Sequence, residues 1–201
     1  MLQKLARSAA FVTLWAVPAG AEGLSITPDL ADLSVTIKGE TLSIARLGVD
    51  GELQCPPHCV QPMQAAPGGQ TLGALEVIGF LRAKVATDQG RILDVRLPAE
   101  FATTHLPGAI NVPLATLVAE NPYRDDILQA LGATKTAEGL DFAAAPLLLI
   151  YASGPGNDLA AIAVRTLVEG GYPIDKVLFF RGGLQEWQDF GLTVSGAADQ
   201  G

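Results

Sequence analysis

Only two cysteines, Cys55 and Cys59, and two histidines, His58 and His105, occur in the 201 residues. Together Cys55, His58 and Cys59 would supply three ligands where a structural zinc site takes four, and His105 is far away in sequence. No metal and no cofactor are expected. Basic residues are also scarce, 13 against 21 acidic ones, for a formal charge of −8. Such a surface repels polyphosphate backbones, which excludes nucleic acid as a partner. Nor does the apolar run from Ala9 to Val17 suffice to cross a bilayer, since a spanning helix needs ~20 apolar residues.

That run follows Lys4 and Arg7 and precedes small residues at Ala19, Gly20 and Ala21, the pattern of a secretory signal over residues 1–21. Cleavage there leaves 11 basic residues against 21 acidic ones, a formal charge of −10. The expected product is periplasmic or secreted and does not span a membrane after processing. In an oxidising compartment nearby thiols pair. Cys55 and Cys59 lie four residues apart around Pro56 and Pro57, and a turn there would bring their Cα atoms within the ~7 Å a disulfide requires. A structural disulfide is one reading. A redox-active pair is the other, although the spacing is not Cys-x-x-Cys.

What the chain has in quantity is apolar residues, 49%, together with 22 glycines and 13 prolines, a composition that fits a compact α/β protein. Leu33 to Gly48 alternates apolar and polar residues around Lys38-Gly39-Glu40 and reads as a β-hairpin. The stretch from Pro56 to Gly69 has no hydrophobic period and reads as a linker or a strap over the next unit. Residues 22–70 thus form a small β-rich segment. From Thr71, a plausible N-cap, apolar residues at Leu72, Leu75, Val77, Ile78, Leu81 and Val85 follow helical spacing.

Further on, "RILDVR" is a β-type run, and Leu106-Pro107-Gly108 makes a turn. Asn121 and Pro122 are placed as N-cap and first residue of a helix, with Asp125 and Asp126 near its positive end. A strand Leu147 to Tyr151, a helix from about Leu159 to Glu169, the run Lys176 to Phe180 and a last helix after Arg181-Gly182-Gly183 complete residues 71–196, leaving a tail at 197–201. Strands alternating with helices predict a parallel sheet covered on both faces, with ligands outside the carboxyl ends of its strands. The loops after Val95, Tyr151 and Phe180 are therefore the candidates for a site.

Asp94-Val95-Arg96 with His105-Leu106-Pro107-Gly108-Ala109-Ile110-Asn111, then the Tyr151 strand and its loop, then Arg181-Gly182-Gly183 with Trp187 and Gly191, together resemble a rhodanese-like domain of the sulfurtransferase family. The resemblance covers about Thr71 to Val194. It implies an α/β fold with a parallel sheet, helices on both faces, and a nucleophilic cysteine directly after the central strand that holds sulfane sulfur as a persulfide. Here that position is Ala152, whose methyl group cannot attack or carry sulfur. Loop amides in such a site stabilise a thiolate and an anionic donor.

The candidate ligand-binding loop is Ala152, Ser153, Gly154, Pro155, Gly156, Asn157 and Asp158. Ser153 would need a base beside it to act as a nucleophile, and none is near in sequence. Asn157 and Asp158 most simply cap the following helix. Asp94, Arg96 and Arg181 are candidates for the pocket edge, Asp94 and Arg96 also for a structural ion pair and Arg181 for an anion contact or a salt bridge. His105 suits a turn hydrogen bond, and Trp187 and Phe190 suit core anchors.

Two functions follow. One is an exported rhodanese-like module without sulfurtransferase activity, binding a small sulfur-containing anion or an exported protein. The other is a sulfur or thiol enzyme in which Cys55 or Cys59 replaces the missing nucleophile.

Overall fold

The computed structural model describes residues 25–46 and 54–197. The expected signal segment 1–21, the end of the expected hairpin at Leu47 and Gly48, and the tail beyond residue 197 lie outside the described residues. A hairpin opens the described chain, β1 (Asp32–Ile37) against β2 (Glu40–Ala45). Lys38 and Gly39 both take positive φ at its two-residue turn, the conformation whose twist matches paired strands. Its register puts Leu33 opposite Ile44 and Val35 opposite Leu42, so one face is apolar and the other carries Ser34, Thr36, Thr41 and Ser43.

The larger unit is built from β3 (Gln70–Leu72), α1 (Ala74–Phe80), β4 (Gly90–Asp94), α2 (Pro98–Thr103), β5 (Ala109–Asn111), α3 (Leu114–Leu117), α4 (Arg124–Ala130), β6 (Thr134–Thr136), β7 (Gly139–Asp141), β8 (Leu147–Tyr151), α5 (Leu159–Glu169), β9 (Val177–Phe180) and α6 (Gly183–Asp189). Five strands form one parallel sheet in the order β3-β9-β8-β4-β5, as the alternation of strands and helices predicts. Strands β6 and β7 pair separately as a short polar hairpin.

Period-two alternation decides what each strand buries. Leu93, Leu148, Ile150, Ala152, Val177 and Phe179 join Ala160, Ala161, Ala163, Val164 and Leu167 of α5 in one core. Ile92, Leu149, Tyr151, Leu178 and Phe180 join Val77 and Phe80 of α1 and Leu184 and Trp187 of α6 in the other. Continuous apolar strands are the signature of a sheet covered on both sides. Trp187 is thus a core anchor, and its indole N–H donates to the Thr193 carbonyl at 2.7 Å; Phe190 is 68% exposed and is no anchor.

Two expected helix starts move. Thr71 belongs to the edge strand β3, and the helix begins after Gly73, whose N–H is taken by the Glu76 carboxylate at 3.1 Å. The helix then widens into a π turn over Leu81–Val85. Asn121 does cap a turn, accepting the Tyr123 N–H at 3.1 Å, but α4 starts only at Arg124. Both shifts have one cause: a polar side chain satisfies whichever nearby N–H is orphaned, and sheet pairing and loop geometry decide which that is.

Candidate functional site at the end of the central strand

β8 lies between β9 and β4 and is fully buried from Leu148 onward. Its carboxyl end delivers Ala152, 1% exposed, into the core under α5. The chain then turns through Ser153 to Asp158 before entering α5. The start of α6 grips this turn: Leu184 N–H donates to the Ala152 carbonyl at 3.0 Å and Gln185 N–H to the Ser153 carbonyl at 2.8 Å. Such an approach needs glycine. A Cβ on Gly183, which has φ +58°, would stand 2.4 Å from the Ala152 oxygen. Arg181-Gly182-Gly183 is therefore the turn that lets α6 pack against the loop.

The helix entry is capped by Asn157, whose side-chain oxygen accepts the Leu159 N–H at 2.9 Å. Asp158 occupies the N-cap position without a side-chain cap, and its Oδ1 is buried without a hydrogen-bond partner. The capping expected of the two residues is thus done by Asn157.

Asp94 and Arg96, 0% and 4% exposed, meet each other. Arg96 Nε donates to Asp94 Oδ1 at 2.9 Å, Nη2 bonds Oδ2 at 2.5 Å, and Nη2 also donates to the Thr104 carbonyl at 2.7 Å. This bidentate pair ties the end of β4 to the segment after α2, and neither residue lines a cavity around the loop. Beside it, the Tyr151 hydroxyl accepts the Leu106 N–H at 3.1 Å. Burial, then the Asp94 charge, pushes the phenol above its ordinary range, so it stays neutral. His105 Nδ1 bonds the Phe101 carbonyl at 2.7 Å, holding the end of α2.

Segment 54–69 runs over this end of the sheet as the strap its composition suggests. Cys55 and Cys59 form a disulfide, and Cys59 is buried. Two residues past the ring, Gln61 ties the strap to the loop: its N–H donates to the Pro155 carbonyl at 3.3 Å and its carbonyl accepts Arg181 Nε at 2.9 Å. Arg46, which follows β2, donates through Nη1 to the carbonyls of Ser25 and His58.

Two cavities result. One, of about 390 Å3, is lined by loop residues Ser153, Gly154, Gly156 and Asn157, with Arg46, His58, Glu100 and Gln185 around them. The other, of about 260 Å3, lies between Arg46, Cys59, Val60, Pro155, Gly156 and Arg181. Ala152 lies beneath the first cavity rather than on its wall.

Sequence reasoning missed Arg46, Glu100, Gln61 and Gln185. No local signal marks them, because each reaches the loop from a distant part of the chain. No base is near Ser153 in sequence, but the fold brings His58 to the same cavity. No hydrogen bond joins its imidazole to the Ser153 hydroxyl or the Glu100 carboxylate, so the contact that activates a serine is missing. Among the described residues no three histidine, cysteine or acidic side chains come together as a metal site, and no helix is long and apolar enough to cross a membrane.

The sequence model of the rhodanese-like domain matches residues 79–190. Among curated proteins, an adenylyltransferase and sulfurtransferase of Drosophila virilis is 32% identical over 139 residues, and its counterpart in Drosophila ananassae is 28% identical over 142. Each alignment covers 69% of this chain but only 27% and 28% of those relatives. Of solved structures, a thiosulfate sulfurtransferase of Pseudomonas aeruginosa is 24% identical, with a TM-score of 0.48, covering 67% of this chain and 21% of that one. The BH2092 protein of Bacillus halodurans is 18% identical, with a TM-score of 0.49, covering 65% and 79%. With more than half of its residues inside the family match, this chain belongs to the rhodanese-like domain family.

Proposed function

We propose that this protein is an exported rhodanese-like module that does not transfer sulfur from thiosulfate and instead binds a small sulfur-containing anion at the loop after β8. Ala152 carries the reading. In sulfur transfer a thiolate attacks the outer sulfur of thiosulfate, the sulfur–sulfur bond breaks, and sulfite leaves with the bonding pair while the enzyme keeps a persulfide. The step needs a thiolate. A methyl group supplies neither the electron pair nor the bond, and among the described residues both cysteines are held in one disulfide. The second reading, with Cys55 or Cys59 as the nucleophile, is therefore not favoured.

What remains at the strand end supports binding. Gly154 and Gly156 keep the loop backbone open, and Arg46 and Arg181 bring positive charge to it. The export part of the proposal rests on the basic and apolar pattern of residues 1–21 and on a disulfide suited to an oxidising compartment.

The purified oxidised protein is expected to produce no thiocyanate from thiosulfate and cyanide above the uncatalysed background. Turnover that survives the double variant Cys55→Ser, Cys59→Ser would sink the assignment. Ala152→Cys is the complementary experiment. It is expected to gain one sulfur atom by intact mass after thiosulfate treatment, because it places a thiol at the strand end next to the cavity lined by Ser153 and Gly154, and no gain would show that this buried position is closed to the donor.

A further inference from the structure

The smaller cavity stands out by its charge. Two arginines, Arg46 and Arg181, line it, and no aspartate or glutamate does. Among the described residues the ion pairs are Arg91 with Asp88 and Arg96 with Asp94, so neither Arg46 nor Arg181 has a carboxylate partner there. In a chain with 21 acidic and 13 basic residues, two arginines that line one cavity with no carboxylate partner among the described residues are unexpected on composition alone. Like charges sharing such a space repel, and the repulsion is relieved when an anion enters.

Both arginines are anchored by only part of their donor set. Arg181 uses Nε on the Gln61 carbonyl, and Arg46 uses Nη1 on the carbonyls of Ser25 and His58. Each guanidinium carries five N–H donors in a planar fork, so fixing one nitrogen orients the fork while leaving donors for a ligand. Of the acidic groups nearby, Glu100 shares the larger cavity with Arg46 but makes no ion pair with it, its Oε2 accepting the Leu97 N–H instead, and Asp158 lines neither cavity.

We infer that Arg46 and Arg181 clamp a small tetrahedral dianion over Pro155 and Gly156, so that the segment before the rhodanese-like unit supplies half of the binding site. This rests on the anion-binding reading above and adds its position and the residues that set its affinity. Arg46 lies outside residues 79–190, the part of the chain that matches the family. The cystine ring is what stations it, since the His58 carbonyl that receives Arg46 lies inside the five-residue ring from Cys55 to Cys59. Paired arginine forks suit the oxygens of a sulfate-like or phosphate-like group.

Isothermal titration of the oxidised full chain with sodium thiosulfate, sulfate and phosphate, at constant ionic strength made up with chloride, tests the clamp. Saturable binding is expected for the wild type. Arg46→Gln and Arg181→Gln are each expected to weaken it by about tenfold or more, Arg46→Lys and Arg181→Lys by less, and Arg82→Gln, on an exposed turn, not at all. The order of the three probes tells a sulfur oxyanion from a phosphate.

Wild-type affinity in both glutamine variants would overturn the clamp while leaving anion binding at the loop in place. Heats no larger than those of chloride in the wild type would overturn the clamp and the anion-binding reading together, whereas the absence of sulfur transfer stands on its own assay. If either glutamine variant fails to fold, the lysine variants decide, because loss of fork geometry at constant charge must still lower affinity.

Discussion

At the scale of single residues, the site region is organised around charges and polar groups that have nowhere else to go. The Asp94–Arg96 pair is fully buried, and its value lies in mutual satisfaction, because desolvating two ions offsets much of their attraction. Removing one partner is the damaging change. Asp94→Ala leaves the Arg96 guanidinium buried beside Tyr151 with only the Thr104 carbonyl, and we expect a loss of about 3–5 kcal/mol in urea denaturation. A variant that loses less than about 1 kcal/mol would mean that solvent reaches Arg96. Asp94 and Arg96 thus serve the site by holding the ends of β4 and α2.

At the scale of elements, the decisive contact is α6 against the loop after β8. Gly183 has φ +58°, and added bulk there meets the Ala152 oxygen and the Gly154 backbone. Gly183→Ala is expected to lower stability by roughly 1–3 kcal/mol, combining left-handed backbone strain with a main-chain clash. It should also increase amide hydrogen exchange at Leu184 and Gln185, which donate to the loop. Unchanged exchange there would place the strain outside the site.

Much at this scale is legible from the sequence. The expected strand Leu147 to Tyr151 and helix Leu159 to Glu169 agree with β8 and α5 residue for residue, because a long apolar period and a Gly-Pro-Asn punctuated loop leave little ambiguity. The short elements β3, α2 and the β6–β7 hairpin are not legible. Their residues are few and largely polar or exposed, and pairing partners far along the chain define them.

For the whole molecule, stability should be sensitive to alkali. Tyr172 is buried with its hydroxyl donating to the Pro146 carbonyl at 2.6 Å, and burial raises its pKa, as burial and the Asp94 charge raise that of Tyr151. A tyrosine whose folded pKa lies above its unfolded value contributes fully below about pH 10 and loses that contribution as the pH rises further. The unfolding free energy is therefore expected to hold up to about pH 9 and to fall above about pH 10. Tyr172→Phe should fall less steeply than the wild type, at the expense of a lower plateau from the lost hydrogen bond. Parallel curves for the two proteins would remove Tyr172 as a cause.

The division between sequence and tertiary structure follows the range of the interactions involved. Alternation and helical period along the chain already determine a parallel sheet with two apolar faces, and the motif order around Asp94, Tyr151 and Arg181 already determines the family. These depend on neighbours in sequence. Which charges gather at the loop is decided only in three dimensions, where the end of β2 brings Arg46 and the strap brings His58 to Ser153 and Gly156, while Asp94 turns inward to Arg96. Burial and long-range carbonyl contacts fix those side chains, and neither is written in local spacing.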